Sequence, residues 1–166
     1  MVATKEKINE ACYWIRRAHT TNRLYYAGNT RQRGYDTNQF GWLAGGKENW
    51  PIMAQKLAED IVLGNSDEGI LLCWTGTGVS LAANKVPGIR ASLCADAETT
   101  RGVRLWNNAN ILCLSIRNTS EVVAREILDM WFDTKYKPNT EDDLCLEQVK
   151  NIEKKYLKHI SKQRCI

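Results

Sequence analysis

Short apolar runs alternate with segments of helical periodicity along the chain from about Gly34 onward. The apolar runs predict four strands, which lie at Tyr35 to Trp42, Ile70 to Cys73, Ile89 to Cys94 and Ile111 to Ile116. The periodic segments predict five helices, which lie at Pro51 to Val62, Val79 to Asn84, Asp96 to about Trp106, Glu121 to Phe132 and Leu144 to about Ile160. This alternation predicts an α/β fold with a mostly parallel sheet and helices on both of its faces.

Local signals at the element ends agree with these assignments. Pro51 stands where proline suits the first turn of a helix, and Asp96 and Ser120 are suitable N-caps. The continuous apolar run Ile70 to Cys73 is typical of a strand buried on both faces. A polar loop around Pro138 to Asp143 is expected before the last helix.

The first 33 residues do not follow this pattern. Lys5 to Ile15 is compatible with a helix, whereas Arg16 to Arg33 is polar and basic without a convincing period. No strong apolar first strand of the kind that begins a doubly wound sheet is visible there. Met1 to Glu10 mixes charges, so no secretory signal is predicted, and no segment has the roughly 20 apolar residues of a membrane helix.

Composition narrows the choice of function. The 166 residues suit one domain, residues 1–166, and the net charge of +4 is too mild to indicate a nucleic-acid partner. The six cysteines form no CxxC pair and there are only two histidines, so no metal site is predicted. Cys73, Cys94 and Cys113 lie in apolar runs, as single thiols do in a reducing compartment, and we expect a cytoplasmic protein without a membrane partner.

The most informative segment is the glycine-rich loop Cys73-Trp-Thr-Gly-Thr-Gly-Val-Ser80. Cys73 ends a predicted parallel strand, and open α/β sheets bind ligands at the carboxyl edge of their strands. The turn at Gly76 and Gly78 directs backbone N–H groups to the same place, where they favour an anion such as a phosphate or an enediolate. The segment thus combines a candidate base, hydroxyl groups and an anion cradle.

Other glycine-loop motifs do not fit this segment. A Walker A loop needs Gly-Lys-Ser/Thr, a dinucleotide fingerprint needs a small residue near Leu81, and a phosphatase-type loop needs arginine at Val79. A structural interpretation remains open, in which Cys73 is a core thiol and the glycines only permit a tight turn.

A second candidate cluster is Trp106-Asn-Asn-Ala-Asn110, just before a strand. Its asparagines suit either helix capping and chain turning or hydrogen bonds to sugar hydroxyls. Arg117 follows the next strand and is either a phosphate ligand or an ordinary surface arginine.

These motifs together resemble the ribose-5-phosphate isomerase type B and galactose-6-phosphate isomerase family. The matching run is GILLCWTGTGVSLAANKVPGIRASLC, from Gly69 to Cys94, and the likeness extends over roughly Gly34 to Thr134. The Trp-Thr-Gly-Thr-Gly loop, together with Trp106-Asn107, is similar to one branch of that family.

The resemblance implies a Rossmann-like three-layer αβα sandwich, a homodimer with shared active sites, and isomerisation of a small sugar phosphate without a cofactor. Ribose 5-phosphate and ribulose 5-phosphate are the default pair. Each site residue takes a role by resemblance. Cys73 would move the proton between C1 and C2, Thr75 would assist ring opening, the backbone at Trp74, Gly76 and Gly78 would hold the enediolate, Asn107 would come from the partner subunit, and Arg117 would contact phosphate.

The chain also departs from the family. Trp74 stands where the family usually has glycine, and Trp106 where it has histidine. The C-terminal arginines that clamp phosphate have no clear counterpart in the acidic stretch Asn139 to Gln148. The family's first strand ends in an Asp-His pair, for which His19 is a poor substitute. Two alternatives therefore stay open, an isomerase of another sugar and a non-catalytic sugar-phosphate-binding protein.

Overall fold

A computed structural model describes the backbone of residues 11–17, 35–41 and 48–163, and the side chains of residues 48–157. The strands are β1 (Ala11–Arg17), β2 (Tyr35–Gly41), β3 (Glu68–Cys73), β4 (Ala91–Leu93) and β5 (Ile111–Ser115). The helices are α1 (Trp50–Val62), α2 (Thr77–Ala83), α3 (Ala97–Leu105), α4 (Glu121–Asp133) and α5 (Thr140–Gln163).

The strands form one five-stranded sheet in the order β2-β1-β3-β5-β4. β5 pairs in parallel with β3 and with β4, whereas β1 is antiparallel to both of its neighbours. Because β1 alone is reversed, β2, β3, β5 and β4 all run in the same direction. The predicted α/β fold with a mostly parallel sheet is confirmed.

The sheet core alternates between two faces, as the side-chain period of a strand requires. Leu71 and Cys73 pack with α1 and α2 on one face, whereas Ile70 and Leu72 pack with α4 on the other. All four of these side chains are buried, which confirms that this strand is covered on both faces. The layers are therefore helix, sheet and helix.

The N-caps predicted for the second face are present. Asp96 Oδ1 accepts from the N–H of Thr99 (2.7 Å), and Ser120 Oγ accepts from the N–H of Val123 (3.3 Å). These bonds satisfy N–H groups that have no partner within the helix, and they fix where α3 and α4 begin.

The prediction for the start of the chain is wrong where the structure describes it. Ala11 to Ile15 belongs to β1 and not to a helix, while residues 5–10 and His19 lie outside the described ranges. Cys12-Tyr-Trp-Ile15 consists largely of β-prone aromatic and β-branched types. Ala11 is paired with Gly41 on one side and with Leu72 on the other, so sheet pairing on both edges outweighs the weak helical pattern.

The last helix also begins earlier than predicted. α5 begins at Thr140 rather than Leu144, so most of the expected loop is helical. Asn139 Oδ1 accepts from the N–H of Asp142 (2.9 Å), as an N-cap does. The acidic first turn of α5 is also favourable at the positive end of the helix dipole. In the described part of the chain, no helix has both the length and the apolarity needed to cross a bilayer.

A buried polar cluster closes the amino-terminal end of β3. The carboxylate of Glu68 accepts from Arg104 (2.6 Å), from the indole N–H of Trp131 (2.8 Å) and from Lys135 (3.2 Å). The Arg104 guanidinium also donates to the carbonyls of Ala109 and Thr134 and lies 4.4 Å from the centroid of the Trp131 ring. This cluster ties α3, β3 and α4 together at the edge opposite Cys73.

Candidate active site

Cys73 lies at the carboxyl end of β3, opposite Ser115 of β5 in the parallel register. Its side chain is only 6% exposed and packs on the α1 and α2 face with Met53 and Val79. The N–H of Ile116 donates to the carbonyl of Cys73 (2.9 Å), which holds the two strand ends together. The thiol is thus fixed at the edge of the sheet where α/β proteins bind ligands.

The glycine loop needs Gly76 for two physical reasons. Gly76 is the N-cap of α2 and has φ +75° and ψ −18°, a left-handed conformation that is costly for other residues. A Cβ at this position would also collide with Leu93 Cδ1 and come within 3.1 Å of the Leu114 carbonyl carbon. The loop therefore lies directly on the ends of β4 and β5.

Gly78 also lies close to a neighbouring side chain, the Trp50 ring. A Cβ at Gly78 would lie 3.2 Å from the Trp50 ring, which is tighter than most real contacts. Trp50 opens α1, so this contact joins the first turns of α1 and α2. Gly76 thus has the left-handed conformation that suits a tight turn, whereas Gly78 permits close packing against Trp50.

Hydroxyl and N–H groups surround the loop. Thr75 and Thr77 are exposed, and their hydroxyl oxygens share a hydrogen bond of 2.7 Å. The first backbone N–H groups of a helix lack acceptors within it, and those of α2 follow the thiol by four residues. The Cys73 thiol, the two hydroxyls and the first N–H groups of α2 therefore belong to one short segment at this edge of the sheet.

Trp74 and Arg117 form the rim of this edge. The Trp74 carbonyl accepts from the N–H of Arg117 (3.0 Å) and from the hydroxyl of Ser115 (2.9 Å). The Arg117 guanidinium carbon lies 5.7 Å from the centroid of the Trp74 ring, within the range of a cation–π contact. Both side chains are exposed, and Arg117 follows β5 at the same edge of the sheet at which Cys73 ends β3.

Asn107 is not brought to Cys73 within one subunit. It is exposed at the end of α3 and precedes β5, whereas Cys73 lies beside the carboxyl end of β5. The four residue steps of β5 separate the two ends by about 13 Å. Trp106, beside it, is 55% exposed. A role for Asn107 at Cys73 therefore requires a second subunit.

Several polar residues of the matching run have structural roles that sequence reasoning missed. The Asn84 side chain donates to the Ala91 carbonyl (2.7 Å) and accepts from the Ala91 N–H (2.8 Å), which anchors β4. Arg90 donates to the Asn108 carbonyl (2.7 Å), and burial lowers the pKa of its guanidinium. Asn108 itself has φ +44°, which explains one asparagine of the second cluster as a turn residue.

The acidic start of α5 lies at the opposite edge of the sheet from Cys73. Glu153 of the same helix accepts from the N–H of Gly88 (3.1 Å), before β4, and a cavity of about 630 Å³ separates α5 from that turn. Asp143 lines this cavity and accepts from the Tyr136 hydroxyl (2.6 Å), which raises the pKa of Tyr136 to about 12. These carboxylates therefore do not face the Cys73 edge of their own subunit.

No group of three or more His, Cys, Asp or Glu side chains suited to a metal ion occurs among the residues with described side chains. The same part of the chain contains no disulfide, and its cysteines are thiols.

In comparisons with known proteins, the chain matches sugar and sugar-phosphate isomerases. A family model described as Ribose/Galactose Isomerase matches residues 19–149. The galactose-6-phosphate isomerase subunit LacB of Clostridium acetobutylicum is 37% identical over 103 residues, 62% of this chain and 60% of that protein. D-erythrulose-4-phosphate isomerase of Pectobacterium atrosepticum is 35% identical over 108 residues, 64% of this chain and 71% of that protein.

The structural superposition covers more of this chain than the sequence matches do. The ribose-5-phosphate isomerase B of Clostridium thermocellum superposes with a TM-score of 0.74 at 38% identity, covering 79% of this chain and 88% of that one. That fold is the three-layer αβα arrangement expected above. By sequence, the chain spans about 60% of the length of the first curated relatives that it matches.

Proposed function

The chain belongs to the ribose/galactose isomerase family, and from that premise we propose that it interconverts an aldose phosphate and the corresponding ketose phosphate. The observation that carries this proposal is the position of Cys73 at the carboxyl edge, followed at once by the glycine loop. A thiolate placed there can take a proton from carbon while neighbouring N–H groups stabilise the oxyanion that forms.

Each loop residue has a defined task in this proposal. The Cys73 thiolate removes the proton from C2 of the open-chain aldose, and the electron pair forms the C1–C2 enediolate. The backbone at Trp74, Gly76 and Gly78 stabilises the enediolate oxygens. A proton then passes from O2 to O1, and Cys73 returns the first proton to C1, which yields the ketose with no net redox change.

The other three proposed site residues do not act on the reacting carbons themselves. Thr75, paired with Thr77, assists opening of the sugar ring. Arg117 binds the phosphate by charge-assisted hydrogen bonds. Asn107 acts on the site of a partner subunit, since its own Cys73 lies at the other end of β5.

The proposed substrate pair is ribose 5-phosphate and ribulose 5-phosphate. A second candidate is another sugar phosphate, such as the four-carbon D-erythrulose 4-phosphate named for one relative. Trp74 and Trp106 favour this candidate, because both are exposed indoles where the family usually has glycine and histidine.

We also propose a cytoplasmic homodimer. Val149, Ile152 and Tyr156 recur at i, i+3 and i+7 on α5 and are 47%, 58% and 60% exposed, which leaves an apolar stripe uncovered. A second copy of this chain is the occupant we assign to the stripe, because a shared site needs one to supply Asn107. Light scattering of the wild type should give twice the mass of one chain, and the Ile152→Glu variant should have the mass of a single chain. A wild-type monomer at all concentrations would contradict the dimer.

The enzymatic proposal is tested with a panel of aldose phosphates. Purified protein should produce ketose from ribose 5-phosphate or from a four-carbon analogue, and Cys73→Ala should not. Activity only on unphosphorylated sugars would reject a phosphate isomerase. Binding of sugar phosphates without turnover would identify the protein as a non-catalytic member of the family.

A further inference from the structure

The Trp74 indole restrains the Arg117 guanidinium from one side. The backbones of the two residues are joined by the bond from Arg117 N–H to the Trp74 carbonyl (3.0 Å). Ser115 Oγ donates to the same carbonyl (2.9 Å), so the segments that carry both side chains are fixed to each other. The guanidinium then rests 5.7 Å from the ring centroid.

The N–H groups of the Arg117 side chain remain available to a ligand. In the part of the chain with described side chains, no carboxylate forms an ion pair with it, in contrast to Arg101, Arg104 and Arg125. A guanidinium that meets a ring in a cation–π contact makes no hydrogen bond to it, so its N–H donors stay available to a planar or tetrahedral anion.

The contact with Trp74 also lowers the entropic cost of binding an anion. An arginine at a strand end samples many rotamers in solution, and an anion must immobilise it on binding. The Trp74 ring restricts those rotamers before the ligand arrives.

We propose that the Trp74 side chain is a positioning residue for Arg117, and that it thereby strengthens binding of the phosphate group and the preference for a phosphorylated sugar. The inference deepens the proposed function and rests on it for the identity of the sugar. It assigns the indole a role distinct from that of the Trp74 backbone at the enediolate.

Inorganic phosphate is the direct probe, with calorimetric titration of wild type, Trp74→Phe, Trp74→Leu, Arg117→Ala and the double variant Trp74→Leu/Arg117→Ala. Trp74→Leu keeps an apolar side chain but removes the π face, and it should weaken phosphate binding about two- to five-fold. Trp74→Phe should restore most of the loss. In the Arg117→Ala background, Trp74→Leu should have no further effect.

With a phosphorylated substrate, Trp74→Leu should raise KM by a similar factor and change kcat less. Circular dichroism and the thermal midpoint establish that each variant is folded. Wild-type affinity in Trp74→Leu, an equal loss in the Arg117→Ala background, or no phosphate binding by wild type would each overturn the inference. If the variants show the expected phosphate affinities but the protein isomerises no sugar phosphate, the proposed function fails and the inference about Trp74 stands.

Discussion

Cys73 and Ser115 face each other in register at the carboxyl ends of two adjacent parallel strands. The same edge holds the glycine loop and Arg117, so the proposed base, the anion cradle and the phosphate ligand come from the ends of two strands. Every residue of this group is close in space because of one parallel pairing.

The first prediction concerns the thiol. Cys73→Ala should lower kcat about 10²- to 10⁴-fold, because it removes the group that moves the proton. Cys73→Ser should recover little, since an alcohol is a far weaker base than a thiolate. Both are measured as ketose formation by folded protein.

Cys94→Ala is the matched control. Cys94 is also buried, and burial raises the pKa of its thiol, but it packs on the opposite face of the sheet from Cys73. This variant should keep its kcat and lose about 1 kcal/mol of stability. Full activity in Cys73→Ala would remove Cys73 from its proposed role.

The second prediction concerns phosphate. Arg117→Ala should raise KM for a phosphorylated sugar about ten- to a hundred-fold, because a charge-assisted hydrogen bond contributes about 1.5–3 kcal/mol. It should change kcat less, and it should affect an unphosphorylated sugar little. Arg125→Ala, which removes an exposed arginine paired with Glu121 on α4, should leave KM unchanged. Equal losses for both kinds of sugar would make Arg117 structural.

The parallel part of the fold could be predicted because its signals are local. Ile70 to Cys73, the glycine turn and the caps at Asp96 and Ser120 each lie within a few residues of what they determine. Because Cys73 and Thr75 follow one predicted parallel strand and Arg117 follows another, the sequence alone predicts that all three lie at one edge of the sheet.

Long-range pairings could not be predicted in this way. β1 is a strand because of partners that lie 18 to 30 residues away in β2 and 53 to 61 residues away in β3, and its own residues only weakly indicate one. Glu68 finds Arg104 36 residues later and Trp131 63 residues later, and no local pattern signals either bond. The cation–π contact between Arg117 and Trp74 likewise depends on the pairing of β3 with β5.

The third prediction concerns the loop backbone. Gly76→Ala should destabilise the protein by about 2–5 kcal/mol, since it combines a left-handed conformation with overpacking. The Leu93 methyl can rotate away, but the Leu114 backbone carbonyl cannot. Gly64→Ala is the control, because Gly64 also has φ +75° yet has open space around its Cβ position, and it should cost about 1–2 kcal/mol. Urea unfolding measures both, and equal losses would show that the contact with β5 is unimportant.

The fourth prediction concerns pH. Hydrogen bonds from Thr99 hold the pKa of Asp96 below its ordinary value of 3.8. A carboxyl with a lowered pKa in the folded state adds stability above its unfolded pKa and loses it as the pH falls through the folded value. Asp96→Asn keeps a cap acceptor without the charge. The stability difference between wild type and this variant should be constant from about pH 5 to 8 and should shrink below about pH 4. If the stability difference between wild type and Asp96→Asn does not change with pH, the charge on Asp96 contributes nothing to the stability of the fold.

The last prediction concerns the buried cluster around Glu68. Arg104 is only 6% exposed on its side chain, and Glu68 is its carboxylate partner at 2.6 Å. Arg104 is buried and Glu68 is partly buried, so removing the carboxylate leaves the Arg104 charge poorly solvated, which costs more than the pair itself contributes. Glu68→Ala should therefore lower the free energy of unfolding by about 3–5 kcal/mol.

The same substitution should leave phosphate affinity unchanged in the fraction that is folded, because Glu68 lies at the far end of β3 from Cys73. Glu98→Ala provides the exposed counterpart, since Glu98 pairs with Arg101 on the surface of α3 and should leave the urea midpoint nearly unchanged. If Glu68→Ala lowers the free energy of unfolding only slightly, the carbonyls of Ala109 and Thr134 already compensate the Arg104 charge. A selective loss of phosphate binding would instead couple the two edges of the sheet, which the separation of Glu68 from Arg117 argues against.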